Sequence, residues 1–216
     1  MIKEIILIKV GKEDYPTNCY IIKDELSNCI IIDPGFDSYK IIDKINELNL
    51  NVLSVVLTHG HGDHMGDLDK IIDKFNCNVM IHENDLDCFK DDDKAYFTMQ
   101  DIKIPDVDMS KVITFKDKDI LKFGNIELEV IHTPGHTNGS VCLYEKDLNI
   151  LVTGDTVFKD CYGRCDLKSG SIENMGSSIE LIFNRFSDLV IYPGHEDIAN
   201  IDNIKKRIRL LYAVRR

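Results

Sequence analysis

With 216 residues, 44% of them hydrophobic, the chain can bury a full core and reads as one domain over 1–216. Its net charge of -11 argues against a nucleic-acid partner, whose phosphates call for Lys and Arg. No apolar run approaches the length of a membrane span, and seven cysteines without a Cys-x-x-Cys pair suit a reducing compartment, so a cytoplasmic protein is expected.

Residues 1–10 read as a strand. Lys3, Glu4 and Lys9 interrupt the apolar residues, and no small-residue cleavage site follows, as a secretion signal would require. A second strand at 29–32 runs into Asp33-Pro34-Gly35, and helical periodicity follows at Ile41, Ile42, Ile45 and Leu48. The apolar run 52–57 then gives way to Thr58-His59-Gly60-His61-Gly62-Asp63-His64. Imidazole and carboxylate form the donor set that borderline divalent ions accept, and a loop with glycine at 60 and 62 can curl around an ion. His59 and His61 can approach one metal while Asp63 and His64 face a second position beside it.

Two adjacent ions need more donors than one loop supplies, and three later strands each end in a turn carrying one. Pro134-Gly135-His136 follows the strand 126–131, Gly154-Asp155-Thr156 follows 150–152, and Pro193-Gly194-His195 follows 189–191. His82, read as the start of a helix, and His132, at a strand end, stand outside this pattern and are read as ordinary or supporting histidines. The segment 90–111, with Asp91-Asp92-Asp93, Pro105, Tyr96, Phe97 and Met99, is either a loop or short helix overhanging the site or a mobile surface connection.

The second half of the chain is expected to hold strands near 112–115, 120–123, 126–132, 139–145 and 149–153, a helix over 171–184 and a strand at 189–192. Cys161 and Cys165 are separated by three residues with no second pair nearby, which argues against a metal site there. Ile201, Ile204, Ile208 and Leu211 recur at helical spacing. They predict an amphipathic terminal helix packed on the body, with Lys205, Lys206, Arg207, Arg209, Arg215 and Arg216 in solvent.

The cluster at 59–64 resembles the H-x-H-x-D-H motif of the metallo-β-lactamase superfamily, and Asp33-Pro34-Gly35 looks like that family's early D-x-G motif. The resemblance spans most of the chain and implies an α+β, four-layer αβ/βα sandwich with its metals at one edge between the sheets. It assigns His59, His61 and His136 to one metal, Asp63, His64 and His195 to a second, and Asp155 as the bridge. Two divalent cations are thereby implied, zinc first, with iron or manganese as other candidates. Their chemistry is the activation of a bridging water, with Asp63 and Asp155 as catalytic residues.

Gly154-Asp155-Thr156-Val157-Phe158 and Gly163-Arg164-Cys165-Asp166 are similar to the G-D-x-L-F…G-R-x-D stretch of glyoxalase II-like hydroxyacylglutathione hydrolases, especially their short bacterial members. That likeness implies a hydrolase of a small anionic thioester, with Arg164 clamping a substrate carboxylate; its other reading is a salt bridge to Asp166. The chain ends without the C-terminal helical domain of the full-length enzymes, which leaves the thiol carrier open. Two alternatives stand beside this one. A mononuclear iron persulfide dioxygenase shares the fold and a similar G-R-x-D stretch, and a metal-binding sensor or scaffold would keep the ligands without catalysis.

Overall fold

The computed structural model describes residues 3–97 and 103–214, with side chains up to residue 208 in the last helix. Its first sheet runs in chain order, β1 (Glu4–Val10), β2 (Thr17–Lys23), β3 (Asn28–Ile32), β4 (Asn51–Val56), β5 (Asn78–His82) and β6 (Val112–Phe115). The first three strands pair antiparallel and the rest parallel. Parallel neighbours need crossovers, supplied by α1 (Ser38–Glu47), by α2 (Gly62–Met65) with α3 (Leu68–Phe75), and by a 3₁₀ turn over Glu83–Phe89 with α4 (Asp92–Ala95).

The second sheet contains β7 (Ile120–Phe123), β8 (Ile126–His132), β9 (Val141–Glu145), β10 (Ile150–Gly154), β11 (Val190–Pro193) and β12 (Ala199–Asn200), in the spatial order 12-11-10-9-8-7. A crossover through α5 (Ile172–Arg185) makes β10 and β11 parallel, and α6 (Ile201–Val214) closes the described chain.

Residue alternation on the strands explains the layering. Ile30 and Ile32 point between the sheets, where Tyr20, Val56, Leu128, Val130, Leu143 and Val152 meet them. Ile31, one residue out of phase, packs instead with Ile41 and Ile45 of α1 and Leu68 and Ile71 of α3. On the far side, Ile131, Cys142 and Leu151 pack with Met175, Ile179 and Ile182 of α5 and Ile201, Ile204 and Ile208 of α6. Strands covered on both faces read as unbroken apolar runs, as in Cys29-Ile30-Ile31-Ile32. The result is helix, sheet, sheet, helix, the four-layer αβ/βα sandwich.

Three expectations need correction. The strand at 112–115 belongs to the first sheet, because Val112 to Phe115 pair with Val79 to His82, and periodicity carries no information about a pairing partner. His82 is the last residue of β5 and caps the 3₁₀ turn, its Nδ1 accepting from the Asn84 N–H at 3.3 Å. In the terminal helix, Lys206 and Arg207 are exposed, with Arg207 paired to Asp160, but Lys205 is half-buried and donates to the Phe186 carbonyl. Met99, Arg215, Arg216 and the side chains of Arg209 and Leu211 lie outside the described residues. All seven cysteines are free thiols, and no described helix is long and apolar enough to cross a membrane.

Candidate metal centre

The donors gather where strands of both sheets end side by side. From β4 the chain turns at Thr58, which is held by Asp33 at the end of β3: the Thr58 N–H donates to Asp33 Oδ1 at 2.8 Å and its hydroxyl to Oδ2 at 2.6 Å. The same Oδ2 accepts from His64 Nδ1 at 3.0 Å, and Thr58 Oγ1 lies 3.1 Å from His59 Nδ1. From the second sheet, His136 Nδ1 donates to the Arg164 carbonyl at 2.8 Å and His195 Nδ1 to the Pro16 carbonyl at 2.9 Å. Four imidazoles thus have one nitrogen tied, which fixes the ring and directs the other nitrogen inward.

All seven donors expected from the sequence are brought together. Donor atoms of His59, His61 and His136 lie within 4.8 Å of one another, as do those of Asp63, His64 and His195. Asp155 stands between the sets, with Oδ2 3.3 Å from His136 Nε2 and 3.6 Å from His195 Nε2, and Oδ1 3.4 Å from His64 Nε2. Asp63 Oδ2 is 3.3 Å from His195 Nε2. Gly194 permits this closeness, since a Cβ there would come within 2.3 Å of Asp155 Oδ1.

Among the described residues, Nε2 of His59, His61, His64 and His136 and Oδ1 of Asp155 are buried without a hydrogen bond. Desolvating that many polar atoms in one place costs several kcal/mol unless they meet a cation, so the donor set fits metal ions. The charge distribution agrees. Burial, reinforced by neighbouring imidazoles, holds His59 well below the ordinary histidine range and pushes His61 down to about 3, which leaves their lone pairs available. Burial alone would raise Asp63 and Asp155, but His64 and His195 override it and hold both carboxylates well below their usual range. Those two imidazoles are raised in turn, against burial, by carboxylates led by Asp33 at His64 and by Asp155 at His195.

Aromatic rings wall the centre. Tyr15 stacks on His195 at 4.2 Å, and Tyr96 meets His61 edge-on at 5.4 Å while its hydroxyl accepts from the Lys168 N–H. Of the described part of segment 90–111, Tyr96 therefore overhangs the site, while Asp106 and Lys111 bond to Asp69 and Asn76 instead. Arg164 contributes its carbonyl to His136, while its exposed guanidinium donates to Asp166 through Nε at 2.7 Å and Nη2 at 2.8 Å. A cavity of about 690 Å³ opens beside it, lined by Cys161, Tyr162, Arg164, Cys165 and Ile172. His82 and His132 stack on each other at 4.2 Å in no donor set. Sequence reasoning overlooked Tyr15 and Asp85, since neither sits in a strand-turn-donor pattern.

Comparison with known proteins agrees with this geometry. The family described as the metallo-beta-lactamase superfamily matches residues 13–195. The hydroxyacylglutathione hydrolase GloC of Haemophilus influenzae is 31% identical over 196 residues, covering 89% of this chain and 91% of that protein. The crystal structure of BLEG-1, a B3 metallo-beta-lactamase, superposes with a TM-score of 0.81 at 28% identity, over 93% of this chain and 95% of that one. The structure of TTHA1623 in a di-iron-bound form has the same fold, with a TM-score of 0.83 at 22% identity, over 94% and 98% of the two chains.

Proposed function

The chain belongs to the metallo-β-lactamase superfamily, and from that premise we propose that it is a hydrolase working with two divalent cations on a thioester of hydroxyacylglutathione type. The observation that carries this reading is Asp155, whose carboxylate reaches imidazoles of both donor sets. In it His59, His61 and His136 would hold one cation and Asp63, His64 and His195 the other, with Asp155 placed to serve both. Zinc is the first choice, with iron and manganese next, because mixed nitrogen and oxygen donors discriminate poorly by affinity.

Cations bound there supply Lewis acidity, which brings the pKa of a water toward neutrality and polarises the carbonyl under attack. The chain's own groups do the rest. Asp63 is the most exposed donor of the seven, so its carboxylate can both ligate and orient the proton of the attacking water. Asp155 fixes the spacing of the two sets. Tyr15 and Tyr96 line the approach to the centre.

The thioester assignment is supported by the hydroxyacylglutathione hydrolase activity for which the Haemophilus relative is named and by the Gly154–Phe158 and Gly163–Asp166 stretches. Arg164 is its anchor for an anionic group. The guanidinium is exposed and already holds a carboxylate in a two-bond fork, so a substrate carboxylate can take the place of Asp166. Two assays on one freshly purified, metal-analysed sample test the reading. Hydrolysis of S-D-lactoylglutathione is expected; persulfide-dependent oxygen uptake in its place would assign the chain to the dioxygenases, and inactivity toward thioesters, lactones and phosphodiesters alike would leave a sensor or scaffold.

A further inference from the structure

We infer that Asp85 is a positioning residue that sets the His59, His61 and His136 donor set by tying together the two loops that carry it; this inference rests on the metal-ion reading above. Asp85 arises in the 3₁₀ turn after β5 and is 1% exposed. Its Oδ2 accepts from the Gly60 N–H at 3.0 Å and from Thr137 Oγ1 at 2.6 Å, and its Oδ1 accepts from the Gly139 N–H at 2.7 Å. Gly60 is the single residue between His59 and His61, and Thr137 follows His136 directly. One carboxylate therefore joins a loop of the first sheet to a loop of the second, at the positions where three of the seven donors depart.

Packing makes the brace specific to an aspartate. A Cβ on Gly139 would fall 2.6 Å from Asp85 Cγ, so the carboxylate lies against bare backbone there, and one on Gly60 would fall 2.5 Å from Cys88 Sγ, so that loop too is packed without room for a side chain. The Thr137 hydroxyl is itself held, 2.7 Å from Ser140 Oγ, which in turn accepts from the Thr137 N–H at 3.0 Å. An asparagine at 85 keeps the shape but turns one acceptor into a donor that faces another N–H or hydroxyl. The loops must then part, and the three imidazoles lose their common focus. The Asp63, His64 and His195 set is fixed by other groups, namely Asp33 and the Pro16 carbonyl.

Zinc titration of metal-free protein against a chelating dye tests this, with each donor set isolated in turn. In a His195→Ala background, where the tri-histidine set is the intact one, Asp85→Asn should weaken zinc binding about 10- to 100-fold, the size expected when a group supporting a ligand is lost. In a His61→Ala background, where the other set is intact, the same change should leave affinity within about threefold. Thr137→Val should weaken the tri-histidine set in the same direction and Thr137→Ser should restore it, a pair that keeps the test alive if Asp85→Asn folds poorly. Equal weakening in both backgrounds, or none in either, overturns the inference. A wild-type protein that takes only one zinc overturns the dinuclear reading instead, and the two failures are told apart because the first is judged by the variants and the second by the parent.

Discussion

The two donor sets are each assembled from both sheets, yet they are braced across the gap in opposite ways. The tri-histidine set is joined by the Asp85 carboxylate between the Gly60 and Thr137 loops, with the Val141 N–H donating to the Thr58 carbonyl at 2.9 Å beside it. The other set is crossed by several bonds to the β2 end of the first sheet: the Asn18 N–H donates to the Gly194 carbonyl at 2.7 Å, Asn18 Nδ2 and the Tyr20 hydroxyl both donate to the Pro193 carbonyl, and His195 donates to Pro16. A brace spread over several partners tolerates the loss of one member, whereas at the tri-histidine set one carboxylate accepts from both loops and concentrates sensitivity in that side chain. The chemical character differs in parallel, with one set purely imidazole and fully buried and the other containing the partly open Asp63. In the dinuclear reading proposed above, that division would hold one cation rigidly and leave the other open to water.

The comparison breaks first at the residues shared or exposed at the centre. Asp155→Ala and Asp63→Ala should each cut turnover by about a hundredfold to a thousandfold or more, corresponding to several kcal/mol of lost transition-state stabilisation. Metal content measured on the same samples separates lost ions from lost chemistry. Asp63→Ala that keeps both ions and full activity would remove the functional distinction between the sets.

A smaller effect should come from Asp33→Asn. It strips His64 of its anionic partner and crowds the Thr58 hydroxyl, so the Asp63, His64 and His195 set should lose about 10- to 100-fold in metal affinity. The same titrations used for Asp85 check it, and a loss confined to the tri-histidine set would contradict the division of labour. Next in size, Arg164→Ala should raise KM for an anionic thioester about tenfold, the loss of one charge-assisted hydrogen bond, with a neutral thioester nearly unchanged. Asp166→Asn should lower KM for the anionic substrate by freeing the guanidinium. Equal changes for both substrates would confine Arg164 to supporting His136 through its carbonyl.

The smallest effect concerns the turn that carries Asp85. His82 caps that turn, and burial, with the adjacent His132 adding to it, pushes its pKa down to about 4. A group depressed from about 6.5 takes up its proton first in the unfolded chain, so stability is lost as pH falls from 6.5 toward 4. Between pH 7 and pH 5, His82→Asn, which keeps a capping acceptor, should lose about 1 to 2 kcal/mol less than the wild type in urea unfolding. Turnover at pH 7 should stay within several-fold, since His82 belongs to no donor set.

Much of this arrangement was legible in the sequence because the donors repeat one local device, an apolar strand followed by a Gly-containing turn. Asp33 was readable only through the resemblance of Asp33-Pro34-Gly35 to the family's D-x-G motif. Asp85 was not. Its partners lie 25 and 52 to 54 residues away and meet it only through tertiary packing, and in Glu83-Asn84-Asp85-Leu86-Asp87 nothing marks one carboxylate as buried. The strand at 112–115 failed differently, because its residues specify an extended edge without specifying the neighbour, and only the register with β5 assigns it to the first sheet. His82 was misread as a helix start because a cap and a strand end coincide in one residue.

Elemental analysis of freshly purified, fully active protein tests the dinuclear centre most directly. Two transition-metal ions per chain, with thioester hydrolysis that falls as the second ion is removed by graded chelation and returns when it is restored, is the result expected. Full activity in a sample that never exceeds one ion per chain would contradict it.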